Sequence, residues 1–201
     1  NNQTKLDNKE GRKILVEMMP ELGEAAVQCK TRILLEPLNR GIYKFNDVVD
    51  KAVLKPVATG YKEAMPDPVR TAVGNFFSNL DDVLVLLNDL LQFKLDQAAS
   101  DFSRLVWNTT VGIAGLIDVA TPMDLAKHNE DFGQTLGYWG VDNGPYLVLP
   151  LLGPSTLRDA VGSAVDSQFD PVVQHTPVPE RNSAIAVHSV DTRARLLDAE
   201  K

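Results

Sequence analysis

A mostly α-helical fold in a single domain is what this sequence predicts, and three observations predict it. Apolar residues recur at helical spacing along most of the chain, period-2 alternation is nearly absent, and glycines and prolines gather between the periodic stretches. With 201 residues, 44% of them hydrophobic and 23% charged, the chain suits one folded domain with at most a tail. It divides into an N-terminal arm, residues 1–32, and a helical domain, residues 33–201.

The elements follow in order. Leu38, Ile42, Phe45 and Val49 form one apolar stripe that ends before Pro56. Asp67-Pro68 reads as an N-cap and a first-turn proline opening "VRTAVGNFF". Asp81 and Asp82 then stand at the start of "VLVLLNDLLQF", which is apolar on most faces and predicts a helix largely surrounded by others. Leu95, Ala98, Ala99, Phe102 and Val106 give the next stripe. Asp142-Asn143-Gly144 is a turn signal between "GYWGV" and "PYLVL", predicting a short hairpin around 138–148. Ser155 in "GPSTLRD" reads as the N-cap of a further helix. A proline-punctuated connector, "DPVVQHTPVPERN", leads to a C-terminal helix on which Val187, Val190, Ala194 and Leu197 share one face.

Several function classes lose their support at this level. The net charge of −7 argues against nucleic-acid binding, which needs clustered cations. Cys29 is the only cysteine, so no disulfide framework forms, and it reads as a small buried residue. The longest apolar runs, "VLVLL" and "YLVLPLL", fall far short of the roughly 18 residues of a membrane span. Amphipathic helices still lie in one leaflet without such a run. His128, His175 and His188 are scattered, and His128 beside Glu130 and Asp131 reads as a solvated polar turn. "GIAGLID" lacks the third glycine of a dinucleotide turn. Asp81/Asp82 and Arg158/Asp159 are sequence neighbours, and adjacent helix positions do not face each other. We therefore expect no enzyme, no catalytic residues, no metal and no cofactor.

The order of short motifs is more informative than any one of them. "EPLNRGIYKFND" (36–47) precedes "KPVATGYKEAMP" (55–66), "VGNFFSNLDD" (73–82) and "LLQFK" (90–94). "WNTTVGIAGLIDVAT" (107–121), "DFGQTLGYWGVDNGPYLVLPLLGPSTLRD" (131–159) and "VDTRARLLDAE" (190–200) follow. This series resembles the VacJ-like (MlaA) family of outer-membrane lipoproteins of Gram-negative bacteria over roughly residues 36–201. Ile33 and Leu34 stand where family members usually carry an Asp-Pro pair.

The resemblance implies a helical ring with an amphipathic central channel, seated in the inner leaflet of the outer membrane and lipid-anchored in the native precursor. It implies maintenance of lipid asymmetry: mislocalised glycerophospholipids leave the outer leaflet and pass to a soluble periplasmic phospholipid carrier. Trimeric porins are the implied neighbours, and phospholipid is the transported ligand. On that basis Tyr146, Leu147, Leu149, Leu151 and Leu152 are expected to wall a lipid path, since a phospholipid needs apolar surface and polar partners together. Arg158 is the expected phosphate contact, through its planar fork, with Asp159 keeping that contact weak. Gly137, Gly140, Asn143, Gly144 and Pro145 are the expected gating hairpin. Phe45 and Asn46 are expected to govern ring integrity. The alternative reading is a periplasmic helical scaffold that binds a partner protein and handles no lipid.

Overall fold

The computed structural model describes residues 36 and 38–200; the expected arm and Cys29 lie outside them. Helix α1 (38–49) runs through a π-helical turn, Asp50–Leu54, directly into α2 (Lys55–Ala64). The stripe ends at Val49, but the helix that carries it continues past Pro56. In the π turn the Lys55 N–H reaches the Asp50 carbonyl, five residues back, and Pro56 follows within the first turn of α2, where a missing N–H is tolerated.

Helix α3 (Asp67–Leu91) is one 25-residue element. Asp81 and Asp82 lie in its middle, because no glycine or proline interrupts the ladder there. Asp67 is its first helical residue; Pro66 precedes it, and the Asp67 carboxylate is held by Arg70. Helix α4 (Leu95–Thr110) folds back against α3. A short 3₁₀ turn, Thr121–Met123, leads to α5 (Phe132–Tyr138), capped by Asp131 accepting from the Gln134 N–H at 2.7 Å.

The hairpin pairs β1 (Tyr146–Leu149) with β2 (Gly153–Thr156), antiparallel, with Val148 opposite Pro154. It thus lies C-terminal to the expected 138–148. Residues 138–141 instead close α5: Trp139 N–H returns to Thr135, Val141 N–H to Leu136, and Gly140 takes the left-handed φ of 88° that ends the helix. The Asp142-Asn143-Gly144 turn joins a helix to a strand. Helix α6 (Leu157–Asp166) starts directly after β2, and its N-cap is Thr156, whose hydroxyl accepts from the Asp159 N–H at 3.2 Å. Ser155 sits in β2, so the capping role falls one residue later than expected.

Helix α7 (Val178–Ala199) packs along α2 and α3. Polar pairs fasten it. Arg193 makes two bonds to Asp50, at 2.6 and 2.8 Å, which hold that carboxyl below its ordinary range despite burial. Tyr61 donates to Asp191 at 3.1 Å, and Phe77 stacks on His188 with centroids 4.5 Å apart. Helices α5 and α6 approach so closely that a Cβ on Gly162 would stand 2.3 Å from the Gly133 nitrogen.

Candidate functional site

Burial in this molecule is inverted. Along α3 and into its C-cap, Asp82, Val85, Asp89 and Gln92 occupy one buried stripe at 3-4-3 spacing, while Leu87, Leu90 and Leu91 are exposed. The expected all-round shielding of "VLVLLNDLLQF" is therefore overturned. The apolar face looks outward because the inward face is committed to polar partners. Helix α4 repeats the arrangement: Asp101, Arg104 and Asn108 are buried with Ala98, whereas Leu95, Phe102 and Val106 of the expected stripe face out. Among the described residues, 34 large apolar side chains are exposed and only eight apolar residues are buried. The largest fully buried side chains are Gln92, Asn88, Thr135, Asp82, Asp89 and Asp101.

A buried polar group is costly without partners, and most of these have them. Gln92 donates to Thr135 at 3.0 Å and to Glu130 at 2.9 Å; Thr135 donates to Asn88 at 2.8 Å; Asn88 donates to Asp166 at 3.1 Å. Lys94 reaches Glu130 at 2.5 Å and Lys127 reaches Asp82 at 2.7 Å. Burial still pushes the Asp82 carboxyl above its ordinary range, against the pull of Lys127. Arg104 donates to the Leu125 carbonyl at 2.6 Å and pairs with Asp118 at 3.3 Å. Asp118 also accepts from Asn108, Thr121 and the Ala120 N–H. Burial opposes its ionisation, but Thr121, Arg104 and Asn108 outweigh that and hold it at about 2. His128 is no solvated turn: its Nδ1 lies 2.7 Å from Asp101, and its side chain is 23% exposed. The acidic sequence neighbours Glu130 and Asp131 look elsewhere, to Lys94 and the α5 cap.

A second feature joins α1 to the hairpin. Asn39 donates to the Tyr146 carbonyl at 3.1 Å and accepts from the Val148 N–H at 2.9 Å. Asn46, two turns on, donates to the Leu149 carbonyl at 2.9 Å and accepts from the Leu151 N–H at 2.8 Å. Two side-chain amides thus take the place of a third strand along the free edge of β1. Beside this clamp lies a cavity of about 540 Å³, with Arg40, Tyr43 and Lys44 of α1 on one side and Pro145, Tyr146 and Val148 on the other.

The structure brings together only part of the expected path. Period-2 geometry separates Tyr146 and Val148, which face the cavity, from Leu147 and Leu149. Leu151 and Leu152 form the exposed tip of the hairpin, Leu151 with a φ of 67°. Arg158, adjacent to Asp159, does meet it: Nε donates to Asp159 Oδ1 at 3.0 Å, and the guanidinium lies over Gly137, where a Cβ would come within 2.7 Å. Its length lets it fold back along the helix, which spacing arguments for short side chains miss. Thr156 and Arg158 hold the Asp159 carboxyl below its ordinary range. Asn143 and Pro145 are fastened to the start of α6, accepting from the N–H groups of Arg158 at 3.1 Å and Leu157 at 3.0 Å. Gly144 has a φ of 67° and sits against Leu157. Asn46 belongs to the clamp; Phe45 is exposed. Asn39, Arg40 and Lys44 were missed in the sequence, although Asn39 stands seven residues before Asn46, on the same helical face.

Comparison with known proteins agrees with this architecture. The family model for MlaA lipoproteins matches residues 34–201. The intermembrane phospholipid transport system lipoprotein MlaA of Escherichia coli is 38% identical over 170 residues, covering 83% of this chain and 67% of that protein. The protein of the same description from Haemophilus influenzae is 36% identical over 168 residues, 82% and 67% of the two chains. A Rickettsia felis protein is 37% identical over 159 residues; the match takes in 79% of this chain and 63% of that one, so the chain spans under two thirds of that relative. A solved chain described under the structural basis for maintenance of bacterial outer membrane lipid asymmetry superposes with a TM-score of 0.71 and 36% identity, covering 82% of this chain and 84% of that one. The motif order, the mostly α fold with its one small hairpin and these matches agree, and the chain belongs to the MlaA lipoprotein family.

Proposed function

We propose that this protein maintains outer-membrane lipid asymmetry, taking mislocalised glycerophospholipids from the outer leaflet and passing them to a soluble periplasmic carrier. The observation that carries the reading is the inverted burial. Apolar side chains exposed on successive helices suit a body seated among acyl chains, and a hydrogen-bonded polar interior suits the wall of an amphipathic channel. The body sits in the inner leaflet on the periplasmic side, beside a trimeric porin, as the family resemblance implies; no helix among the described residues is long and apolar enough to cross a membrane. Family membership, and the transport-system names of the Escherichia coli and Haemophilus influenzae relatives, support the same reading.

The protein conducts lipid and catalyses no reaction. Tyr146 and Val148 offer an apolar floor to a passing chain, with Arg40 and Lys44 at the rim for a phosphate. Leu147, Leu149, Leu151 and Leu152 continue that surface to the hairpin tip. The fastened segment from Gly137 through Gly140, Asn143, Gly144 and Pro145 is the gate, and Arg158 with Asp159 its latch. The test is complementation of cells lacking their own family member, with the exported, anchored protein. Outer-leaflet phospholipid should fall to wild-type levels, and phospholipid should co-purify in mild detergent. Correct fractionation to the outer membrane with undiminished outer-leaflet phospholipid and no bound lipid would favour the scaffold reading instead.

A further inference from the structure

Helices α3 and α4 bring two fully buried carboxylates together. Asp89 and Asp101 each have 0% exposure, and His128, on the segment between the 3₁₀ turn and α5, closes the group. One donor atom from each of the three lies within 4.8 Å of the others. Asp101 is partly served, by His128 Nδ1 at 2.7 Å and the His128 N–H at 3.4 Å. Asp89 is not: both of its buried oxygens lack a hydrogen-bond partner. Neighbouring cations are engaged elsewhere, Lys94 with Glu130 and Lys127 with Asp82. Two buried carboxyl groups thus face one imidazole, an arrangement that needs either a shared proton or a further positive charge.

We propose that Asp89, Asp101 and His128 bind a divalent first-row transition ion, with Zn²⁺ the best match. Two carboxylate oxygens and an imidazole nitrogen are its ordinary donors, at about 2.0–2.2 Å. A rotamer adjustment draws the three donors to that distance, and the ion takes the place of the proton between His128 Nδ1 and Asp101. The partial exposure of His128 supplies the entry route. Bound there, the ion would staple α3, α4 and the segment leading into α5, the elements that carry the polar interior.

The test uses the full protein in detergent, stripped with a chelator and titrated with Zn²⁺ or Ca²⁺ by calorimetry, with melting followed in parallel. One Zn²⁺ per chain should bind and raise Tm, with Ca²⁺ far weaker because it prefers oxygen donors. Asp89→Asn is nearly isosteric and removes an unpartnered charge, so its metal-free fold should persist while Zn²⁺ binding is lost. His128→Gln should weaken binding by about 100-fold or more. Absence of Zn²⁺ binding by the wild-type protein overturns the proposal, as does equal binding by both variants, which would place the ion on surface histidines. Equal response to Ca²⁺ removes the role of the imidazole. A wild-type protein indifferent to Zn²⁺, with Asp89→Asn simply more stable, would mean that a shared proton balances the pair.

Discussion

Asn46 concentrates the hairpin's attachment into one side chain. Its amide satisfies the Leu149 carbonyl and the Leu151 N–H together, and alanine leaves both to water or to nothing. Asn46→Ala should cost about 1–2 kcal/mol, because each bond contributes modestly while an orphaned group costs more. Chemical denaturation would show it as a lowered midpoint at unchanged slope. Asp118 gives a pH-dependent counterpart. Its folded pKa of about 2 lies below the ordinary aspartate value of 3.8, so its contribution is complete above pH 4 and lost as pH falls towards 2. Asp118→Asn should therefore lower stability at neutral pH by roughly 1–2 kcal/mol, discounted for its partial exposure, and the gap to wild type should close in acid melts. A gap that is constant from pH 6 to pH 2.5 would rule this out.

At the scale of elements, α5 and α6 meet through glycines rather than side chains. A methyl at Gly162 meets the backbone of Gly133 at 2.3 Å, and backbone cannot rotate aside. Alanine there improves helix propensity by about 0.5–1 kcal/mol, but the clash costs about 1–3 kcal/mol, so Gly162→Ala should destabilise. A rise in Tm would overturn this. Elements of this kind were mostly legible in the sequence: periodicity located α1, α3, α4 and α7, and the motif order placed the whole set in a family. Which face each helix buries was not legible. A 3.6-residue stripe marks the axis of asymmetry, and assigning its apolar side to the core presumes water outside. Asp82, Asp89, Asp101 and Arg104 reverse that presumption. The hairpin slipped for a different reason: Asp142-Asn143-Gly144 has turn chemistry, but Tyr138 ends α5 and Trp139 caps it. The clamp by Asn39 and Asn46 joins residues more than 100 positions apart, beyond any local pattern.

For the whole molecule, the exposed apolar surface should be separable from the fold. Leu90 and Leu91, 47% and 40% exposed, face away from the polar stripe. Replacing both with glutamine should leave the far-ultraviolet circular dichroism intact while weakening association with phospholipid vesicles by about 30-fold, at roughly 1 kcal/mol per half-buried leucine. Unchanged flotation with vesicles would mean that this face meets protein rather than lipid.

The polar interior also has a calorimetric consequence. Heat-capacity change on unfolding arises mainly from apolar groups newly wetted, and polar exposure subtracts from it. Here few apolar side chains leave a dry core, and on the proposed seating, hydrocarbon from detergent covers the outer ones both before and after unfolding. The measured ΔCp in micelles should therefore fall well below the roughly 12–15 cal/mol/K per residue of water-soluble domains. A small ΔCp flattens the dependence of stability on temperature, so this protein should hold nearly constant stability across the cold range in which water-soluble domains weaken.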